Sequence, residues 1–492
     1  MTEDTPRVPR RGWLATLMFL LAITAYFAAQ TGLRVALGGA LETDEAEMMV
    51  MTPGLRLGYG PQLPLYNWVQ WGVFELFGRS LFALSLVKNG LLWLSYLFVF
   101  LGLRLWVPAG AAVFGALALF FVPDIAWEAE RATTHSNMLL ATSGLTLAAF
   151  LWALRGGALA AWLLLGLAMG LGGLAKYNYW LVPAGLALSA LTVVQMRAQL
   201  VRWRALLAPL VALAMLAAPY NWMVQNPDLA FASLHKLQLN EAPAGVSPEG
   251  LTLMAQGAGL LLALPLIVAG LLFWLGRRKP VPVPRPGVAA LLVRAALILA
   301  LLVGAGVYTA DIGHITPRWL LPVAFLFVPG LFVWLHRRIG PRAVGRSYLA
   351  VALLAVLVMG GLTYDRFKPG ARRDVDFTPL PGALAEVAPL PDVPVVAEFY
   401  TAGNLKRLEP DWSVSPYLPF VAPGLGGQTA LFLLRDDVPS SLEVGMRLAG
   451  WPAGAGPEVR DEGVIRLPSA RSQETLPIRW LLVETPVPDG LE

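Results

Sequence analysis

Residues 13–33 read WLATLMFLLAITAYFAAQTGL, an unbroken apolar run with Arg7, Arg10 and Arg11 just upstream. About 20 such residues in helical form cross a bilayer core of roughly 30 Å. The run is too long for the core of a signal peptide and no small-residue cleavage site follows it, so it reads as a retained membrane anchor. Further apolar runs are centred on residues 80–103, 109–123, 137–153, 158–175, 178–195, 205–224, 253–276, 288–310, 319–335 and 347–363. Together they predict a polytopic α-helical membrane protein with about eleven transmembrane helices.

Composition agrees. The 492 residues are 57% hydrophobic and 14% charged, against roughly a quarter charged in a soluble domain, which excludes soluble, disordered and fibrous classes. With no cysteine, disulfides, thiolate metal sites and cysteine nucleophiles are all excluded. The net charge of +5 sits in short loops between apolar runs, where it serves orientation and gives no reason to expect nucleic acid.

The loops alternate in charge. One set holds Arg104, Arg155, Arg197/Arg202/Arg204, Arg277/Arg278/Lys279/Arg285 and Arg337/Arg338/Arg342/Arg346; the other holds Asp44/Glu45/Glu47, Asp124/Glu128/Glu130, Asp228/Glu241/Glu249 and Asp311. Eleven spans with a cytoplasmic amino terminus put every basic loop inside and the carboxyl terminus outside. The expected organisation is a membrane catalytic domain over residues 1–363, with outer loops 34–79, 124–136, 225–252 and 311–318, followed by a soluble α/β domain over 364–492. In that tail Val393–Phe399, Ala430–Leu434 and Ile478–Glu484 read as short strands between turns. A spacer or lid suits it better than a second active site, since it carries no recognisable catalytic constellation.

Chemistry-bearing residues collect on the outer side. Glu42-Thr43-Asp44-Glu45-Ala46-Glu47 forms a carboxylate cluster after the first span, followed by the turn-rich stretch Gly58–Tyr66 with Tyr59 and Gln62. Trp68, Trp71, Phe74 and Phe77 then follow with the spacing of an interfacial helix. A solvated loop would show the same acids, but the aromatic platform beneath them favours a substrate at headgroup level. The loop holding Glu128, Glu130, Arg131 and His135 is dense in acid, base and hydrogen-bonding groups, which suits a site and a simple turn equally. Lys176 interrupts two apolar runs at an outer end, where it either snorkels or binds an anion. His314 and Arg318 in the last outer loop add two phosphate ligands, and His235-Lys236 another pair. Four histidines without ligand spacing are a weak metal signal, so no cofactor is expected, with a divalent metal left open.

Acids early and cations late at one membrane face suit group transfer from an anionic lipid. If the donor is a sugar on polyprenyl phosphate, the leaving group is already acidic and needs no protonation. One carboxylate would then deprotonate the acceptor hydroxyl, while Lys or Arg would stabilise the departing phosphate.

The first helix followed by Asp44-Glu45-Ala46 and then Pro61-Gln62-Leu63-Pro64-Leu65-Tyr66 resembles the GT-C superfamily of membrane glycosyltransferases. It is most similar to the family 39 group, which includes protein O-mannosyltransferases and the aminoarabinose and galacturonic acid transferases of lipid A. Gly173-Leu174-Ala175-Lys176, and His314 with Arg318 before Trp319-Leu320-Leu321-Pro322, resemble later family segments. The resemblance implies Asp44 as catalytic base with Glu45 beside it. Arg131, Lys176, His314 and Arg318 would surround the donor phosphate, and Tyr59, Gln62, Glu128, Glu130 and His135 would line the substrate. It also implies an inverting hexosyl or pentosyl transferase of the bacterial inner membrane, taking a polyprenyl-phosphate sugar to a lipid or glycan, with protein hydroxyls second. Two departures stand out. The family's HPP-type histidine is missing at Gly60-Pro61-Gln62-Leu63-Pro64, and Thr134-His135-Ser136-Asn137 replaces an aspartate in the second outer loop.

The competing class is a transporter or flippase of a lipid-linked sugar, which would show related halves and midplane charges. No half-to-half similarity is visible, and Lys88, within the run 80–103, is the one awkward residue for the glycosyltransferase reading. The charge alternation predicts high activity for alkaline phosphatase fused after residue 363 and low activity for a fusion at Arg337; the reverse pattern overturns the orientation.

Overall fold

The computed structural model describes residues 10–131, 134–231, 249–279, 287–310, 312, 315–416, 429–435 and 458–484. These form two compact units. The first comprises residues 1–30, 60–66 and 88–358, and the second comprises 31–59, 67–87 and 359–492.

The first unit is helical. Among the described residues of the whole chain, eight helices are long and apolar enough to cross a membrane, or up to nine if the bent pair Ala109–Phe121 and Asp124–Arg131 is one span. They include α1 (Arg10–Leu37), and the second unit receives the ends of some of them. The expected eleven falls to this number because three apolar runs make shorter pieces. The run at 158–175 gives a 15-residue helix, Leu159–Gly173, about 22 Å long at 1.5 Å per residue. The run at 178–195 gives the 11-residue helix Leu181–Leu191. The third is broken where a 3-10 turn and Pro123 interrupt it, and the chain bends by 80°.

Close helix approach in this unit depends on glycine. Gly166 and Gly170 lie one turn apart on Leu159–Gly173, and an added Cβ at Gly166 would come 2.8 Å from the Ala208 carbonyl oxygen. Small residues at that spacing let two backbones approach where lipid offers no hydrophobic drive for association. The helices Val288–Thr309 and Leu321–His336 use Gly330 in the same way against Leu292.

The second unit holds a five-stranded sheet in the order β2-β1-β3-β5-β4, with β1 (Val395–Ala397), β2 (Val414–Pro416), β3 (Thr429–Arg435), β4 (Glu458–Pro468) and β5 (Thr475–Glu484). β1 pairs in parallel with β2 and β3, while β3/β5 and β5/β4 are antiparallel. Val396, Ala430, Phe432, Leu434, Leu481 and Val483 make its core. The three strands read from sequence match β1, β3 and β5; β4, with its charged and exposed residues, gave no apolar signal.

The helix Phe399–Leu408 connects β1 to β2 and buries Tyr400 to Leu405. Its N-terminus is capped by Glu398, whose carboxylate accepts from the backbone N–H groups of Tyr400 (2.7 Å) and Thr401 (2.8 Å). It packs against α2 (Thr43–Val50) through Gly403, where a side chain would overlap the Ala46 backbone. Gly403→Ala is therefore expected to cost about 1–3 kcal/mol through overpacking, read as a lowered Tm in detergent. Gly382→Ala, which meets nothing within 4 Å, is the matched control and should leave Tm unchanged or slightly raised.

Candidate functional site

Each unit carries part of the candidate set. In the second unit the carboxylate cluster folds into α2, and helical geometry divides it. Glu42 is the N-cap and exchanges a capping box with Glu45. Glu42 and Glu45 are buried, whereas Asp44 and Glu47 are half-buried. Asp44 and Glu47 are three residues apart and so share a helix face.

The inward pair is neutralised locally. Arg34, near the end of α1, grips Glu45 with two bonds, Nε to Oε1 at 2.9 Å and Nη2 to Oε2 at 2.7 Å. The same guanidinium donates to the Gly38 and Ala40 carbonyls. Arg373 approaches Glu42 at 3.5 Å and Glu45 at 3.9 Å. Two cations thus balance two carboxylates in a closed volume, which is what burial of charge requires. Burial pulls the Arg373 guanidinium below the usual arginine value; Glu45 opposes that shift and Arg34 adds to it.

Distant parts of the chain finish the support. The Leu41 N–H donates to Asn404 Oδ1 at 2.8 Å, Arg407 donates to the Gly39 carbonyl at 3.0 Å, and Arg372 donates to Thr43 Oγ1 at 2.8 Å. At the other end of α2, Arg79 donates to the Met49 and Thr52 carbonyls, where a cation suits the helix dipole. The sequence singled out none of Arg34, Arg373, Asn404 or Arg79. Arg34 alone carried a signal, as a charge near the end of the first apolar run. Tyr59 is buried; its hydroxyl donates to the Gly54 carbonyl and accepts from the Arg56 N–H, so this predicted substrate ligand closes its own loop.

In the first unit a π-helical turn, Asp124–Glu128, follows Pro123 and leads into Arg131. Such turns re-aim side chains and recur at functional positions. Here Glu128 accepts from Arg131 at 3.2 Å and pairs with Arg318 at 3.6 Å, all three side chains being 28–40% exposed. Two guanidiniums converge on the Glu128 carboxylate, and Asp124 of the same turn is close enough to feel both Arg318 and Glu128. Lys176 opens the turn Tyr177–Trp180 and donates to Ser136 Oγ at 2.8 Å. The Asn178 amide reaches the Arg318 and Trp319 carbonyls at 3.5 and 3.4 Å, tying the Lys176 segment to the Arg318 segment. The Leu65 N–H donates to the Leu174 carbonyl at 3.0 Å, which seats the half-buried Gln62 loop on the same segment.

Two predicted substrate ligands lie deeper than expected. Glu130 is 4% exposed, and its carbonyl accepts from the buried mid-helix Lys88 at 2.7 Å. His135 is 5% exposed, with its ring 5.2 Å from that of Tyr66 and Nδ1 3.2 Å from Thr134 Oγ1. Both therefore face the helix bundle's interior, because the π turn carries Glu128 and Arg131 outward. His314, Asp311, His235 and Lys236 lie outside the described residues. Among the described residues no group of three or more histidine, aspartate or glutamate side chains is arranged to hold a metal ion.

Comparison with known proteins places the chain in a family. Residues 60–222 match the family model described as dolichyl-phosphate-mannose-protein mannosyltransferase. The chain is 33% identical over 430 residues to the lipopolysaccharide core galacturonosyltransferase RgtA of Rhizobium johnstonii, covering 82% of this chain and 83% of that protein. It is 35% identical over 335 residues to RgtB of the same organism, covering 66% of this chain and 65% of that one. In fold it is similar to the crystal structure of ArnT from Cupriavidus metallidurans bound to undecaprenyl phosphate, with a TM-score of 0.54 at 18% identity, covering 96% of this chain and 98% of that one. The chain belongs to the GT-C superfamily of membrane glycosyltransferases, in the family that includes these galacturonosyltransferases.

Proposed function

We propose that this glycosyltransferase moves a sugar from a polyprenyl-phosphate carrier to a hydroxyl of a lipid or glycan, with protein hydroxyls second, on the periplasmic face of the inner membrane. The amino terminus is then cytoplasmic and the carboxyl terminus periplasmic. The names of the relatives make galacturonic acid the first sugar and a lipopolysaccharide core the first acceptor to test. The undecaprenyl phosphate bound by a protein of the same fold supports the carrier class.

The observation that carries the mechanism is the division of carboxylates on α2. Glu45 is held by Arg34 and Glu42 caps the helix, while Asp44 sits on the more open face. Asp44 is assigned as the general base and Glu45 as the residue that positions its helix. The acceptor O–H gives its proton to the Asp44 carboxylate as its oxygen attacks C1 of the sugar. The C1–O bond to phosphate breaks, its electron pair leaves on the carrier phosphate, and Arg131, Arg318 and Lys176 take up that charge. A single displacement inverts the anomeric centre and needs no carboxylate nucleophile.

Removing a general base costs about 10²–10⁴ in rate. Asp44→Asn should therefore abolish the sugar-sized mass difference that the native gene restores to envelope glycolipids of a deletion strain, at matched membrane levels; full restoration by Asp44→Asn would sink the assignment. Arg131→Gln and Arg318→Gln should raise the donor KM more than they change affinity for the acceptor. For the positioning pair, Arg34→Met takes from the buried Glu45 its bidentate partner and leaves Arg373 at 3.9 Å as a weaker counter-charge, a loss of up to about 3–5 kcal/mol seen as a large fall in Tm. Arg34→Met with Glu45→Met should recover a substantial part of that Tm, because no charge is then stranded.

A further inference from the structure

A second constellation of cations lies elsewhere in the first unit, at the ends of several helices. A cleft of about 410 Å³ opens between Gly12 at the start of α1, the connection from α4 (Leu81–Arg104) to α5 (Ala109–Leu117), and Arg155 in the last turn of the helix His135–Gly156. Arg104, Trp106 and Pro108 line it with Ala109, and among the described residues no carboxylate does. α3 (Leu65–Phe77) contributes no lining residue to it. α1, α4 and His135–Gly156 are each long and apolar enough to cross a membrane, so the cleft sits where their apolar stretches stop.

Three features converge there on an anion. Arg104 donates through Nη1 to the Val107 carbonyl at a long 3.4 Å, and Arg155 is exposed. Among the described residues neither guanidinium pairs with a carboxylate. The nine-residue α5 begins at Pro108 with no side-chain cap, and the first N–H groups of a helix have no carbonyl to bond within it. A helix start beside two arginines is a favourable seat for phosphate oxygens. The indole N–H of Trp106 is fixed to the Leu151 carbonyl at 3.0 Å, so the half-buried ring, with Leu105 and Val107, gives the cleft an apolar wall.

Charges that serve only orientation require no cavity. A cavity with two guanidiniums, an uncapped helix start and an apolar wall at a helix-bundle end fits a molecule that is anionic at one end and greasy at the other. We propose that this cleft binds the phosphodiester headgroup of an anionic membrane phospholipid, with Arg104 and Arg155 on the phosphate and acyl carbon against Trp106. This lipid is separate from the sugar carrier, and the proposal does not depend on the transfer reaction.

The test is native mass spectrometry of the full chain in detergent, titrated with dioctanoyl-phosphatidylglycerol, dioctanoyl-phosphatidylcholine or inorganic phosphate. The native chain should take up the glycerol lipid at least fivefold more than the choline lipid. Arg104→Gln with Arg155→Gln should bring uptake down to the choline level, and the exposed Arg155→Gln alone, which leaves packing intact if the pair fails to fold, should lower it at least twofold. Equal uptake by native and variant chains overturns the site. Displacement of the lipid by inorganic phosphate at equal concentration overturns the lipid assignment in favour of a free anion.

Discussion

The bidentate pair between Arg34 and Glu45 is the contact on which the acidic helix depends. Both side chains are almost wholly withdrawn from water, so neither tolerates loss of the other. The pair fixes the end of α1 to the first turn of α2, and the same arginine holds the carbonyls of the intervening loop. With Glu42 engaged as a cap and by Arg373, the rotation of α2 about its axis is set. The exposure of Asp44 follows from that rotation. A six-residue acidic stretch becomes two structural acids and two on the open face.

The α/β tail has a similar bearing on the acidic helix. A spacer or lid was the expectation for residues 364–492; Arg372, Arg373, Asn404 and Arg407 all contact the segment from Gly39 to Glu45. The sheet positions the helix Phe399–Leu408, and that helix in turn seats α2 through the missing side chain of Gly403. The tail is thus part of the platform under the acidic helix.

The fold class was legible because apolar run length is dictated by the bilayer, and a charge-poor chain has few other ways to bury itself. The span count was less so: a hydropathy run at 109–123 looks continuous, while the backbone breaks at Pro123 into a π turn. Asp44, Arg131, Lys176 and Arg318 were legible as polar residues out of place among apolar ones. What spacing did not reveal was direction. Glu128 and Glu130 are two residues apart, one outward and one buried near Lys88, and only the geometry of the turn decides between them. Arg34 was missed because its partner Glu45 lies across a turn that spacing does not define, and Arg373 and Asn404 because their pairings span hundreds of residues.

That last separation has a consequence for biosynthesis. Residues 31–59 leave the ribosome early, whereas Arg372 to Arg407 are made some 330 positions later. Contacts of such long range are the last to be satisfied as a chain emerges from N- to C-terminus. The acidic helix therefore spends most of translation without its final supports. A nascent or prematurely terminated chain would insert its early helices yet lack the supports that order the acidic helix, so assembly itself defers that order until the α/β domain is in place.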